Sequence, residues 1–378
     1  GISNNSGDSQ NVALAAGPGG VLYVAWSDSS AGDAEIYLRR WDGAAWSELG
    51  GSASGGGISN NSGDSVWPAV AVGPNGNPWV AWHDETPGSD EIYVRRWTGT
   101  TWEPVGSGSA SGGGISNNGG DSRFVDLQVA ANGQAFAAWS DSSAGNSEVY
   151  LRQWNGSAWV TLAGSASGGG ISNSSARSGR PALALNDGLP AVAWAEANGM
   201  GEIYVRRYNG SAWVEVGKDS ASGGGVSNTP GQSLYATITY ASGKPTVAWY
   251  EDVAGQWEIY AATLKGNQWV EAGDGAAVGG GVSNTAGASM EPNLAAEGGP
   301  FLAWQETVGG DNEVYVRRLA GANWIEVGDG SASGGGISNN SGDSDFPATA
   351  FVNGRLYVAW EDDSSGDYEV YILVNTTP

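Results

Sequence analysis

Short apolar runs recur along this chain, each bounded by residues that favour turns. In residues 51–106, positions 66–72 are largely apolar and are closed by the cluster Gly73-Pro74-Asn75-Gly76. Positions 78–83 (Pro-Trp-Val-Ala-Trp-His) form a second β-rich run, ended by Asp84-Glu85-Thr86-Pro87-Gly88. Positions 91–97 (Glu-Ile-Tyr-Val-Arg-Arg-Trp) form a third, and 101–105 a short fourth before the Gly/Ser stretch 106–114. No stretch carries a helical period. Runs of this length joined by tight turns predict a four-stranded antiparallel meander.

The meander is repeated. An Ala-Trp dipeptide places Trp26, Trp82, Trp139, Trp194, Trp249, Trp304 and Trp360 at spacings of 56, 57, 55, 55, 55 and 56 residues. Ile2, Ile58, Ile115, Ile171, Val226, Val282 and Ile337 keep the same beat, and so do Glu35, Glu91, Glu148, Glu202, Glu258, Glu313 and Glu369. The repeats run approximately over 1–50, 51–106, 107–163, 164–217, 218–273, 274–328 and 329–378 of one domain, 1–378. Seven four-stranded units predict an all-β, seven-bladed β-propeller with antiparallel blades. Each blade buries both faces against its neighbours, which explains Trp and Val in both strand phases and implies that a lone repeat does not fold.

The first six repeats carry a fourth-strand Trp (Trp46, Trp102, Trp159, Trp213, Trp269, Trp324), whereas the seventh stops after its third strand. The seventh blade is therefore expected to lack its outer strand within this chain, leaving an edge open to self-association or to upstream residues. The opening Gly1-Ile2-Ser3-Asn4-Asn5 starts inside the repeated phrase, as a mature product or a piece of a longer protein would.

Alternating strand direction puts every long loop on one face, before strand one and between strands two and three, where ligand-binding residues are expected. The acidic loop there is the chemical candidate: Asp28, Asp33 and Glu35; Asp84, Asp90 and Glu91; Asp141 and Glu148; Glu306, Asp311 and Glu313; Asp362, Asp367 and Glu369. Carboxylates spaced around a Gly suit a hard cation, so calcium is a candidate cofactor, although the pattern is no EF-hand and erodes at Asn146, Gln256 and Gly201-Glu202. The alternative is that Asp and Gly cap a turn. The recurring Glu can pair with the Arg four residues on, as Glu35 with Arg39, or bond backbone N–H groups of the loop. Blade five keeps Glu258 but has Ala262 where the first Arg of the pair would stand. Ser9, Ser65, Ser122, Ser178, Ser233, Ser289 and Ser344 precede strand one, where a hydroxyl satisfies loop backbone groups.

Charge and composition narrow the partners. Over 378 residues there are 40 acidic and 16 basic side chains, a net charge of -24, with Lys only at 218, 244 and 265. Such a chain lacks the basic footprint for nucleic acid or anionic membrane, and no apolar run nears the ~20 residues of a membrane span. The absence of Cys excludes disulfides, thiol catalysis and Cys-bound zinc. The single His83 leaves no Ser-His-Asp triad unless it is the base.

The phrase Ile-Ser-Asn-Asn-Ser-Gly-Asp-Ser, an apolar strand, and then Val-Ala-Trp-Glu-Asp-Asp-Ser-Ser-Gly-Asp-Tyr-Glu-Val-Tyr resembles the tandem repeats of sialidase-like (BNR-type) β-propeller proteins of bacterial and archaeal surfaces. The resemblance covers the whole chain and implies an extracellular or cell-surface location. The enzymatic motifs do not carry over. The family's Asp-box, Ser-x-Asp-x-Gly-x-x-Trp, is not matched by Ser27-Asp28-Ser29-Ser30-Ala31-Gly32. Its catalysis uses three Arg on a carboxylate, a Tyr nucleophile with a Glu, and an acid Asp; here only Arg123, Arg177, Arg180 and Arg355 stand outside the repeat.

The expected function is a non-catalytic carbohydrate-binding or adhesion module, its partners glycans or surface proteins. The alternative is a structural subunit of a surface layer, fibre or adhesin stalk, which seven Asn-x-Ser/Thr sequons (Asn4, Asn60, Asn155, Asn173, Asn209, Asn339, Asn375) would suit. A sialidase-like glycosidase is the third reading.

Overall fold

The computed structural model describes residues 1–197, 199 and 201–375; the last three residues of the seventh repeat, and the side chain of the Asn375 sequon, lie outside the described part. Six four-stranded antiparallel sheets and a three-stranded seventh make the blades of a propeller. In blade one, strands Ser9–Ala16, Leu22–Asp28, Glu35–Trp41 and Trp46–Ser47 lie side by side in chain order. Blade two repeats this with Ser65–Val72, Pro78–Asp84, Glu91–Trp97 and Trp102–Pro104, within a residue or so of the expected runs. Blade seven consists of Ser344–Val352, Arg355–Asp362 and Glu369–Asn375, the three strands anticipated for it.

The described residues are organised in two compact units, one of residues 1–175 with 361–372 and one of residues from 176–360 with 373–375. In each, the apolar core lies between consecutive blades. In the first unit Tyr23, Ala25, Ile36 and Leu38 of blade one meet Val80, Trp82 and Tyr93 of blade two. In the second, Ala191, Ala193, Ile203 and Val205 of blade four meet Val247, Trp249 and Tyr260 of blade five. Second strands such as Leu22–Asp28 and Pro78–Asp84 are buried along their whole length because both of their faces are packed, so they read as continuous runs rather than as alternating ones.

Each Gly/Ser loop runs back along the third strand of the preceding blade. Ile58 N donates to Ile36 O at 2.7 Å and Ile115 N to Ile92 O at 2.8 Å. The same contact joins the first repeat to the last: Ile2 N donates to Val370 O and Ser9 N to Tyr368 O, both at 2.7 Å. The close approach explains the third Gly of the repeated triplet. Gly57 has φ +58°, and a Cβ there would sit 2.3 Å from Ile36 O and 2.4 Å from the Tyr37 ring. Gly55 has the same φ of +58° but open space around it.

These two glycines separate backbone strain from steric collision. Gly55→Ala is expected to cost about 1 kcal/mol, and Gly57→Ala about 3 kcal/mol or more, because it must also push two blades apart. Equilibrium urea unfolding of the two variants checks this; equal losses would mean that the contact is not tight.

Candidate functional site

Two residues past the buried Trp of each second strand stands a carboxylate: Asp28, Asp84, Asp141, Glu196, Glu251, Glu306 and Asp362, all buried. A buried charge must be met by donors. Asp28 Oδ2 accepts from Trp26 Nε1 (2.9 Å), Ser9 Oγ (3.0 Å) and Asn5 Nδ2 (2.5 Å), while Oδ1 accepts from Ser30 N (3.0 Å) and the Ser30 hydroxyl. Asp84 takes Trp82, Ser65 and Asn61 in the same way, and Asp141 takes Trp139, Ser122 and Asn118. In blade six Glu306 accepts from Trp304 Nε1 (3.0 Å), Ser289 Oγ (2.6 Å) and the Thr285 hydroxyl. The serines before strand one thus serve a carboxylate, not the loop backbone expected for them, because the buried charge is the stronger acceptor.

The Glu that opens each third strand clasps the next loop. Ser59 Oγ accepts from Ile36 N (2.8 Å) and donates to Glu35, whose other oxygen accepts from Asn61 N at 2.9 Å. Ser116 does the same between Ile92 N and Glu91, Ser283 between Ile259 N and Glu258, and Ser3 between Val370 N and Glu369. Of the two partners weighed for this Glu, the loop is the one found; no Glu–Arg pair of this kind forms among the described residues. Burial raises Glu35, Glu91, Glu202 and Glu258 above the usual carboxylate range, against the Ser hydrogen bonds that pull them down.

The predicted loop acids therefore divide. Asp28, Asp84, Asp141, Glu306 and Asp362 anchor the strand-two end, and Glu35, Glu91, Glu148, Glu313 and Glu369 form clasps. Asp311 and Asp367 are exposed and Asp33 half-exposed, apart from both sets. Asp90 is buried and holds Arg123 through its Oδ2. Calcium does not fit this donor set: the anchoring oxygens already accept N–H and O–H hydrogens, and no three acids or histidines gather to hold a metal among the described residues.

Glu196 and Glu251 were missed as members of the anchor set, although a sequence signal marks them. Where the anchor is Asp, the fourth residue of the Ile-Ser-Asn-Asn phrase is Asn (Asn5, Asn61, Asn118, Asn340). Where it is Glu, that residue is Ser174, Thr229 or Thr285. In blade six the longer acid meets the shorter partner in the Thr285–Glu306 bond, whereas the Thr229 hydroxyl of blade five is buried without a hydrogen-bond partner.

Against this uniform frame one position varies. Two residues past the anchor-bonded Ser position of each first strand the backbone has positive φ: Asn11 (56°), Trp67 (54°), Phe124 (56°), Arg180 (48°), Tyr235 (55°) and Glu291 (52°), each at a bulge, and Phe346 (48°). Asn tolerates this conformation; the large side chains are uncommon in it. In the second unit the Arg180 guanidinium lies 4.7 Å over the Tyr235 ring and 4.0 Å from Glu291 Oε2. Tyr235 stacks on Tyr250 at 6.2 Å, and Tyr250 meets Trp257 edge-on at 5.1 Å. Burial pushes Glu291 up to about 7, against Arg180 and the Tyr235 hydroxyl. Burial likewise raises Tyr235, and Tyr250 to about 12.

In the first unit Trp67 meets Phe124 at 5.4 Å and His83 meets Phe124 at 5.8 Å. His83 is only 5% exposed, its Nδ1 has no hydrogen-bond partner, and burial, then Arg123, brings it down to about 4. A neutral ring without an orienting carboxylate on Nδ1 is not the base of a triad. Of the non-repeated arginines, Arg180 joins the aromatic cluster, Arg123 is paired with Asp90, and Arg177 and Arg355 are exposed.

No protein-family model and no curated protein matches the sequence. Among solved structures the fold is similar to an ulvan lyase of a polysaccharide lyase family, bound to -[GlcA(1-4)Rha3S]- (TM-score 0.57, 11% identity, 98% of this chain and 94% of that one). It is also similar to a Dyadobacter fermentans protein of unknown function (TM-score 0.51, 12% identity, 83% and 95%). A third is a Trypanosoma rangeli sialidase in complex with the inhibitor DANA (TM-score 0.50, 12% identity, 98% and 55%), of which this chain spans about half the length. At these identities the likeness defines a seven-bladed β-propeller of sialidase-like fold and says nothing of its chemistry.

Two outcomes test this site. Asp84→Glu is expected to cost about 2 kcal/mol beside Asn61, and Asn61→Thr in the same chain to restore more than half of it, since coupled neighbours interact by about 0.5–3 kcal/mol. A double-mutant cycle by urea unfolding reads the coupling, and additive losses would refute the length match. For Glu291, a folded value near 7 against 4.5 means the folded state holds the extra proton, so its contribution is lost as pH rises from about 4.5 to 7. Glu291→Gln should flatten the pH dependence of stability across that window by on the order of 2 kcal/mol, and an unchanged slope would show that Glu291 is ionised throughout.

Proposed function

We propose that this propeller is a non-catalytic, extracellular or cell-surface module that binds carbohydrate, on its own or carried by a surface protein, through the side chains on its first-strand bulges. The observation that carries this reading is the variety at one strained backbone position: a frame that repeats almost residue for residue holds six residue types there, five of them aromatic or charged. A strained position whose backbone the frame repeats while its side chain varies supports a ligand there. Tyr235, Tyr250 and Trp257 offer apolar faces for sugar C–H groups, and Arg180 and Glu291 offer a donor and an acceptor beside them. The loop acids are poorer candidates, since their oxygens are engaged by the frame.

A second reading, a structural subunit that assembles through an open edge, has the three-stranded blade seven and the exposed Leu373 and Val374 on its outer strand in its favour. A glycan array probed with the purified protein, in calcium and in EDTA, separates the readings. Equal binding in both buffers, lost in Arg180→Ala and in Trp257→Ala, is expected. Binding only with calcium would return the ligand to the loop acids. A blank array together with concentration-dependent sedimentation would favour assembly, and turnover of a fluorogenic sialoside that disappears in Arg180→Ala would make the protein an enzyme.

A further inference from the structure

The third strands carry a second kind of cation, repeated rather than unique. Arg39, Arg95, Arg152 and Arg317 occupy the same place four residues after the clasp Glu, and in each the Nε is buried without a hydrogen-bond partner. None forms an ion pair among the described residues. Arg95 gives Nη1 to Ile58 O at 2.6 Å, and Arg317 makes the same bond to Val282 O. Among the described residues Arg39 has no such carbonyl bond, and neither has Arg152, in strand Glu148–Trp154. It lines a cavity of about 310 Å³ on the long-loop side, together with Ser116, Asn118, Ser143, Tyr150 and Ser167.

Most of the other polar side chains around the cavity are already committed, the exposed Asn117 amide excepted. Asn118 Nδ2 donates to Asp141 at 2.6 Å, the Ser143 hydroxyl donates to Asp141, and the Tyr150 hydroxyl donates to Gly168 O. Burial lowers Arg152 from the usual guanidinium range, and the charges of Asp141 and Glu91 hold it up without reaching it. A guanidinium is donor-only and remains charged at any ordinary pH. What the Arg152 guanidinium lacks is an acceptor with negative charge in direct contact, and a volume of this size, at the low end for small-molecule sites, holds a group no larger than about one sugar unit.

We propose that the Arg152 cavity binds an oxyanion, a carboxylate or a sulfate group, and that Arg152 is the residue that receives it. The assignment stands apart from carbohydrate binding at the bulges, because it involves different residues and a ligand as small as an inorganic ion. Arg95 and Arg317, each tied to a carbonyl, respond more weakly.

The test follows the arginine Nε–Hε resonances of the ¹⁵N-labelled protein during titration with sodium sulfate, sodium glucuronate or glucose. A saturable shift of the Arg152 resonance, assigned by its loss in Arg152→Gln, is expected with at least one of the two anions and not with glucose. A response to sulfate alone identifies a sulfate site, and a response to glucuronate alone a carboxylate site. A linear, non-saturating shift or an equal response to glucose would overturn the proposal. Arg152→Lys, which keeps the charge and the packed stem, controls for folding: it should melt like the parent and bind the anion more weakly. None of these results depends on the glycan array, so either proposal can fail alone.

Discussion

A carboxylate buried under the loop face is the constraint from which the repeated phrase follows. Once Asp28 or its equivalents lie out of water, every lone pair needs a hydrogen, and the neighbourhood is chosen to supply them: an indole N–H two residues back, a Ser hydroxyl from strand one, an Asn amide from the loop. The rest of the phrase answers the second acid. Its Ser stands between a strand-three N–H and the clasp Glu. Its first Asn, at positions 4, 60, 117, 173, 228, 284 and 339, takes a φ of 43–48° that Asn adopts more readily than other residues with a Cβ. The glycines before it let the loop touch the preceding strand. A phrase that repeats for these reasons has little freedom left to recognise anything else.

That division of labour explains what was legible in the chain and what was not. The blade count, the four-stranded meander and the short seventh blade followed from the spacing of Trp, Glu and Ile and from turn residues, because these record strand length and packing directly. The chemistry was harder to read. An Asp near a Gly in a loop has the same appearance whether it awaits a cation or accepts an indole N–H, and only the burial of Asp28, Asp84 and Asp141 decides between them. The bulge residues were invisible as a group, since Asn11, Trp67, Phe124, Arg180, Tyr235, Glu291 and Phe346 share a backbone angle and no side-chain property.

The two units carry differently balanced clusters at that angle. In the first, the buried His83 is held neutral against Phe124, so acidification works against burial there. In the second, Glu291 retains its proton into the neutral range beside Arg180, so acidification favours the folded form. These opposite slopes arise from the same cause, desolvation acting on a base and on an acid.

The matched lengths of anchor and partner also bear on how the array arose. Asp with Asn occupies repeats one to three and seven, and Glu with Ser or Thr occupies the contiguous repeats four to six. Changing one member alone leaves either a buried donor without its acceptor or two side chains in one space, so the alternative pair is reached through an unfavourable intermediate. Three independent crossings would be needed to convert three neighbouring repeats one at a time. Duplication of a single repeat that had already crossed would need only one.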